Sequence, residues 1–199
     1  MLRQPPQHIP WEIPCQCRLV VADLPPCGHN ANVMKINLFL ALALAVPFWV
    51  PGVADATDAG QPAPTLALPD AQGSVVALDT LRGKVVYVDF WASWCGPCRR
   101  SFPWMNEMQQ KYGGKGLAIV AVNVDKKRGD ANKFLTQFPA SFPVVFDEAG
   151  ASPAAFGVKG MPSSYLIDAR GNVVFVERGF LDGSRVELED RIKSLLASR

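Results

Sequence analysis

Two stretches of the chain are apolar without alternation. Val85 to Trp91 (VVYVDFW) and Leu117 to Val124 (LAIVAVNV) are rich in β-branched and aromatic residues and read as strands buried on both faces. A third, shorter run, Pro143 to Phe146, reads the same way, and Ser74 to Leu78 forms a short strand after the turn at Gly73. Between these runs the period changes. From Cys95 onward Phe102, Met105, Met108 and Tyr112 recur every three or four residues, which predicts a helix kinked at Pro103 and ended by Gly113-Gly114. Arg128 to Phe138 predicts a second helix, with Asp130 in its first turn, and Ala151 to Phe156 a short third one. Ser163 to Ile167, a tight turn over Asp168 to Asn172, and Val173 to Arg178 form a hairpin. Ser184 to Leu196 closes the chain as an amphipathic helix with Leu188, Ile192 and Leu195 on one face. Strands alternating with helices and ending in a hairpin predict an α/β domain with a mixed sheet.

The N-terminal part has a different texture. Ile36 to Val50 is apolar for about 15 residues, shorter than the roughly 20 that a spanning helix needs. Met34 and Lys35 precede it, and Ala54-Asp55-Ala56 follows as a small-residue cleavage site, so 34–56 reads as a secretory signal peptide. An uncleaved anchor and a buried helix are the other readings. Signal segments lie close to a true start, so translation is expected to begin at Met34, with 1–33 an upstream extension that is not native. That extension holds Cys15, Cys17, Cys27 and His29, four residues of zinc-binding type whose spacing fits no common structural zinc site. Residues 57–63 read as a linker, Asp58 to Pro69 as a linker and entry segment, and 64–199 as the folded domain.

Charge adds little. The net charge is +2, and the densest basic spots, Arg99-Arg100 and Lys126 to Arg128, read as solvated surface, so no nucleic-acid partner is expected. Cysteine usage adds much more. After Ala56 the chain has Cys95 and Cys98 and no histidine. That leaves no framework of structural disulfides, no second ligand pair for zinc and no histidine base for a cysteine protease. Cys95 follows a buried strand at the start of the predicted helix, and Cys98 lies one turn further in. At that spacing the two sulfurs meet on one face. The unpaired N–H groups of the helix start favour a thiolate on Cys95, making it the attacking sulfur, and Cys98 behind it the resolving one. Pro97 suits an early helical position, and Gly96 and Pro97 between the cysteines help set their potential.

WCGPC following VDFWA resembles the thioredoxin superfamily. The export signal, the preceding hairpin, CRRSFPWMNEM and the additional helix and strand of Arg128 to Phe146 look like its TlpA/ResA-like branch of extracytoplasmic thiol–disulfide oxidoreductases. The resemblance spans roughly Pro64 to Arg199. It implies a three-layer thioredoxin-like fold with a mixed central sheet, an N-terminal β-hairpin and a central helix-strand insertion. It also implies a cis bond before Pro162, in a loop against the disulfide where the Met161 backbone pairs with a substrate strand. Asp89 matches a buried aspartate near the resolving cysteine. Burial should raise its pKa and fit it to exchange a proton with Cys98. Gly179 matches a glycine opposite the active-site loop, where a substrate backbone approaches. With Trp94, Gly96 and Pro97, Met161 and Gly179 make up the expected partner-binding surface. Two positions depart from the family pattern. Ser101 stands where many relatives carry glutamate, and Ala121 where thioredoxins carry a lysine near the buried aspartate.

The function implied is a periplasmic protein-disulfide reductase acting as a monomer, with no cofactor or metal beyond the redox-active Cys95–Cys98 pair. Its partners are exported disulfide-containing proteins, with apocytochrome c before haem attachment as the leading client and a membrane thiol–disulfide carrier as electron donor. The alternatives on the same fold are a disulfide-forming oxidase, a peroxidase and a redox binding module.

Overall fold

The computed structural model describes residues 58–199. The upstream extension, the signal segment and the first linker residue lie outside them. Within 58–199 the chain forms seven strands and four helices. The strands are β1 (Ala67–Pro69), β2 (Val75–Ala77), β3 (Val85–Trp91), β4 (Leu117–Asn123), β5 (Val144–Phe146), β6 (Ser163–Ile167) and β7 (Val173–Arg178). The helices are α1 (Cys98–Tyr112), α2 (Arg128–Gln137), α3 (Ala151–Ala155) and α4 (Ser184–Ala197).

β3 is the centre of a five-stranded sheet in the order β5-β4-β3-β6-β7. β4 runs parallel to it, with Val85 opposite Leu117 and Trp91 opposite Asn123. β6 runs antiparallel, with Val86 opposite Ile167 and Phe90 opposite Ser163. The mixed sheet expected from the order of elements is thus the one observed. All seven residues of β3 are buried, as a strand covered on both faces requires. Val85, Tyr87 and Trp91 join a core with residues of α1, α2 and α4, and Val86, Val88 and Phe90 join another with Phe156, β6 and the β1–β2 hairpin. This is the three-layer thioredoxin-like arrangement.

Apart from one-residue shifts at element ends, the lead-in segment and the start of the first helix differ from the sequence reading. β1 lies inside the lead-in of Asp58 to Pro69. Three residues ending in proline carry no readable alternation, and pairing with β2 makes them a strand. The described part of the linker is fastened to the domain, because Gly60 N–H donates to Val173 O and Ala63 N–H to Gly171 O. The first helix begins at Cys98, not Cys95. Pro97 is its N-cap residue, and Cys95 N–H closes a turn onto Ala92 O at 3.0 Å. At the far end the α-helix stops at Tyr112 with Gly113 as its C-cap, as expected, a short 3-10 turn runs to Lys115, and Gly116 at φ 99° makes the left-handed exit. Among the described residues no helix is long and apolar enough to cross a membrane.

Phe102 ties α1 to the sheet. Its ring lies 4.8 Å from Trp91, 5.0 Å from Phe134 and 5.6 Å from Phe142, centroid to centroid, and it is fully buried. Phe102→Ala leaves a cavity that three aromatic neighbours from different elements are poorly placed to fill. It is expected to cost about 3–5 kcal/mol, read from the urea midpoint, and Phe102→Leu clearly less.

Candidate active site

Strand direction places the site. β3 ends at Trp91, and the chain then runs through Ser93 and Trp94 to Cys95. β6 is antiparallel to β3, so its first residue, Ser163, lies beside Phe90 at that same end. β7 is antiparallel to β6, so its last residue, Arg178, lies beside Ser163. The loop before β6 therefore carries Met161 and Pro162, and the loop after β7 carries Gly179, to the edge where the cysteines sit. The Met161–Pro162 peptide is cis, as expected. Gly179 N–H donates to Pro162 O at 2.8 Å, and Arg100 Nη2 donates to Phe180 O at 3.3 Å, closing the ring of loops.

Cys95 and Cys98 are disulfide-bonded, with Cα atoms 5.4 Å apart. Cys98 is fully buried and Cys95 is 3% exposed, so both residues are buried in the oxidised protein. Cys98 N–H points at Cys95 Sγ from 3.3 Å. This is the first amide of α1, and an amide donor at that distance stabilises negative charge on the sulfur when the pair is reduced.

The surroundings sort the other predicted residues. Trp94 is 69% exposed and Gly96 is exposed, while Pro97 and Met161 are half-buried and Pro162 is buried. Met161 packs against the core that contains both cysteines. Gly179 has φ 94°, which favours glycine, and no atom within 4 Å of where a Cβ would stand. The space beside it is open to another backbone.

Asp89 is fully buried, on the face of β3 that also carries Tyr87 and Trp91 toward the cysteine-containing core. In register it lies between Ala121 of β4 and Ser164 of β6, with Glu177 of β7 beyond Ser164. The Ser164 hydroxyl donates to Asp89 Oδ1 at 2.7 Å, and Oδ2 has no hydrogen-bond partner among the described residues. Burial, opposed only in part by that bond, pushes the carboxyl up to about 7. The same burial, then the Asp89 charge, holds the Tyr87 phenol well above its ordinary value. The two departures from the family pattern are visible here. Ala121 puts a methyl group where a cation would lower the pKa of Asp89. Ser101 is buried and turns its hydroxyl onto Cys98 O at 3.1 Å, adding no charge.

Sequence reasoning missed Ser164, Ser93 and Asp125. Ser164 pairs with Asp89 only through the sheet register, which spacing along the chain does not reveal. Asp125 is the acceptor for both the amide and the hydroxyl of Ser93. An acidic residue just past a buried strand, with an asparagine two residues before it, was the available signal.

The comparisons agree with this geometry. The family model described as Redoxin matches residues 58–192. A protein named thiol-disulfide oxidoreductase ResA from Bacillus cereus is 31% identical over 170 residues, covering 83% of this chain and 97% of that protein. The ResA of Bacillus subtilis is 35% identical over 127 residues, 64% of this chain and 71% of its own length. Among solved structures, a Chlorobium tepidum protein described as thiol:disulfide interchange protein DsbE is 55% identical with a TM-score of 0.69, covering 71% of this chain and 99% of that one. DsbF of MTB, in mixed oxidised and reduced forms, is 27% identical with a TM-score of 0.59, over 65% of this chain and 94% of its own. The chain belongs to the Redoxin family, as a ResA-like thiol–disulfide oxidoreductase of thioredoxin-like fold.

Proposed function

We propose that this chain is an exported, periplasmic protein-disulfide reductase. The observation that carries the reading is the pairing of the Cys98 amide on Cys95 Sγ with a buried carboxyl of near-neutral pKa in the same core. In the reduced protein the Cys95 thiolate attacks one sulfur of a partner disulfide, and the partner's other sulfur leaves as a thiolate. Cys98 then gives its proton to Asp89 and attacks Cys95 Sγ. The mixed disulfide breaks, the partner's second sulfur leaves, and the Cys95–Cys98 disulfide forms. Two electrons pass to the partner, whose two thiolates take their protons from water, and the Cys98 proton leaves Asp89 to solvent, so no cofactor beyond the cysteine pair takes part.

Partner contact falls to Trp94, Gly96 and Pro97 on one side of the disulfide and to the Met161 backbone and Gly179 on the other. A thioredoxin-type CGPC pair is reducing at roughly −270 mV, and an oxidising periplasm would leave it spent. The role therefore requires electrons from a membrane thiol–disulfide carrier. The export signal read at 34–56 supports the compartment, and the ResA and DsbE resemblance supports exported disulfide proteins as clients, with apocytochrome c foremost. One copy of the chain supplies every group in this scheme, so it works as a monomer.

Trapping tests the reaction. Cys98→Ser is expected to leave Cys95 joined to its client in an adduct that mass spectrometry identifies, and Cys95→Ser to abolish that adduct. No adduct, or the same adduct without Cys95, would overturn the reading. Equilibration with a thiol buffer is expected to place the couple near −270 mV, and a value near about −120 mV would make the protein an oxidant.

Asp89 gives a second test. The folded protein keeps a proton on Asp89 up to about pH 7, whereas the unfolded chain releases it near 3.8. The folded state thus binds more protons between those values. Its stability is full below pH 4 and falls as pH rises through 7, by on the order of 4 kcal/mol from this one group. Urea unfolding of oxidised Asp89→Asn is expected to lose that slope and to show higher stability than the parent at pH 8. The same variant is expected to release client from the mixed disulfide about 10²-fold more slowly.

A further inference from the structure

Asp125 lies two residues past β4 and is 5% exposed. Its carboxylate takes three hydrogen bonds. Ser93 N–H reaches Oδ2 at 2.9 Å, the Ser93 hydroxyl reaches Oδ1 at 2.9 Å, and Asn123 Nδ2 reaches Oδ2 at 2.8 Å. Asn123 is held in return, since its Oδ1 accepts Asp125 N–H at 3.1 Å. Directly alongside, Val124 N–H donates to Trp91 O at 3.0 Å, so the ends of β3 and β4 are locked together. Ser93 stands two residues before Cys95, and the turn between them closes through Cys95 N–H onto Ala92 O.

This arrangement is costly if it has no purpose. A buried carboxylate pays for desolvation, and its charge near a cysteine works against the thiolate. What it gains is geometry. Two bonds to one residue fix both the backbone and the side chain of Ser93, two residues before Cys95.

We propose that Asp125, oriented by Asn123, is the positioning residue of the redox loop, clamping Ser93 so that Cys95 Sγ is held at the Cys98 amide. The clamp goes beyond the reductase reading and operates whichever way electrons flow.

The two effects of the Asp125 carboxylate have opposite signs, so one measurement separates them. The full chain is reduced, and the rate of Cys95 alkylation by iodoacetamide is followed against pH. Loss of a nearby negative charge alone would lower the Cys95 pKa in Asp125→Asn. Loss of the clamp raises it toward the free-thiol value near 8.5, and each step of one in pKa cuts the thiolate at pH 7 by about tenfold. The expected result is a raised pKa, with attack on oxidised glutathione at pH 7 slowed about tenfold. Ser93→Ala keeps the amide bond and loses the hydroxyl bond. It is expected to shift the pKa in the same direction by a smaller amount, about threefold in rate, and Ser93→Thr to restore the parent behaviour. Ser93→Ala decides the matter should Asp125→Asn fail to fold. A Cys95 pKa that falls or stays fixed, or a lower melting temperature with the pKa unmoved in Ser93→Ala, overturns the proposal.

Discussion

A strand buried on both faces has no water to turn to, so each of its amides and carbonyls must be met by a neighbouring strand. β3 satisfies this with β4 on one side and β6 on the other, one parallel and one antiparallel. The parallel partner sends its following loop to the same edge as that of β3. The antiparallel partner brings its preceding loop there. Ser93, Asp125 and Pro162 are far apart in sequence and converge for this reason, and Gly179 joins them because β7 is antiparallel to β6. The redox site is the end of this sheet, where the observed register brings these loops side by side.

Buried carboxylates show how the same physical cost is resolved in different ways. Asp147 is pulled upward by burial, but the Ser152 hydroxyl and the amides of Ser152, Gly150 and Ala151 outweigh it, and its pKa is lowered. Asp168 likewise ends below its ordinary value once the Asn172 amide, Arg170 and the Asn172 side chain answer the burial. Both hold turns together as permanent anions. Asp89 is given one hydroxyl and a bare second oxygen, so the neutral form competes near pH 7. A buried carboxyl left poorly satisfied as an anion keeps its proton to higher pH. The weak support around Asp89 costs stability and leaves it able to exchange a proton.

Most of the fold was legible in the sequence because its signals are local. The continuous apolar runs of β3 and β4, the three-to-four spacing of Phe102, Met105 and Met108, and the turn at Asp168 to Asn172 each declare an element without reference to the rest. The resemblance to thioredoxins placed Cys95, Cys98, Asp89, Pro162 and Gly179 on known parts of that frame. What the sequence did not show depends on partners distant in the chain. β1 is a strand because β2 lies beside it. Cys95 precedes the helix because its N–H is taken by a turn onto Ala92 O before α1 begins. Ser164 reaches Asp89 across 75 positions, and Asp125 reaches Ser93 across 32.

The two cysteines therefore depend on two different kinds of support. Around Cys95 the structure is over-determined: α1 supplies an amide, and the Ser93 turn is tied to the adjoining strand. Around Cys98 the conspicuous polar feature of the shared core is an under-satisfied acid. Attack on a partner needs a sulfur whose charge is stabilised before the partner arrives, and fixed dipoles do that without rearrangement. In the proposed reaction, resolution needs a thiol that stays protonated until the mixed disulfide exists, and a neutral-pH acceptor in an apolar core would serve that need. A single environment could not serve both sulfurs, since whatever stabilised the first anion would also ionise the second too early. Under the proposed reaction, the division of rigid amides on one side and a buried, loosely held proton on the other would let adjacent thiols act in sequence.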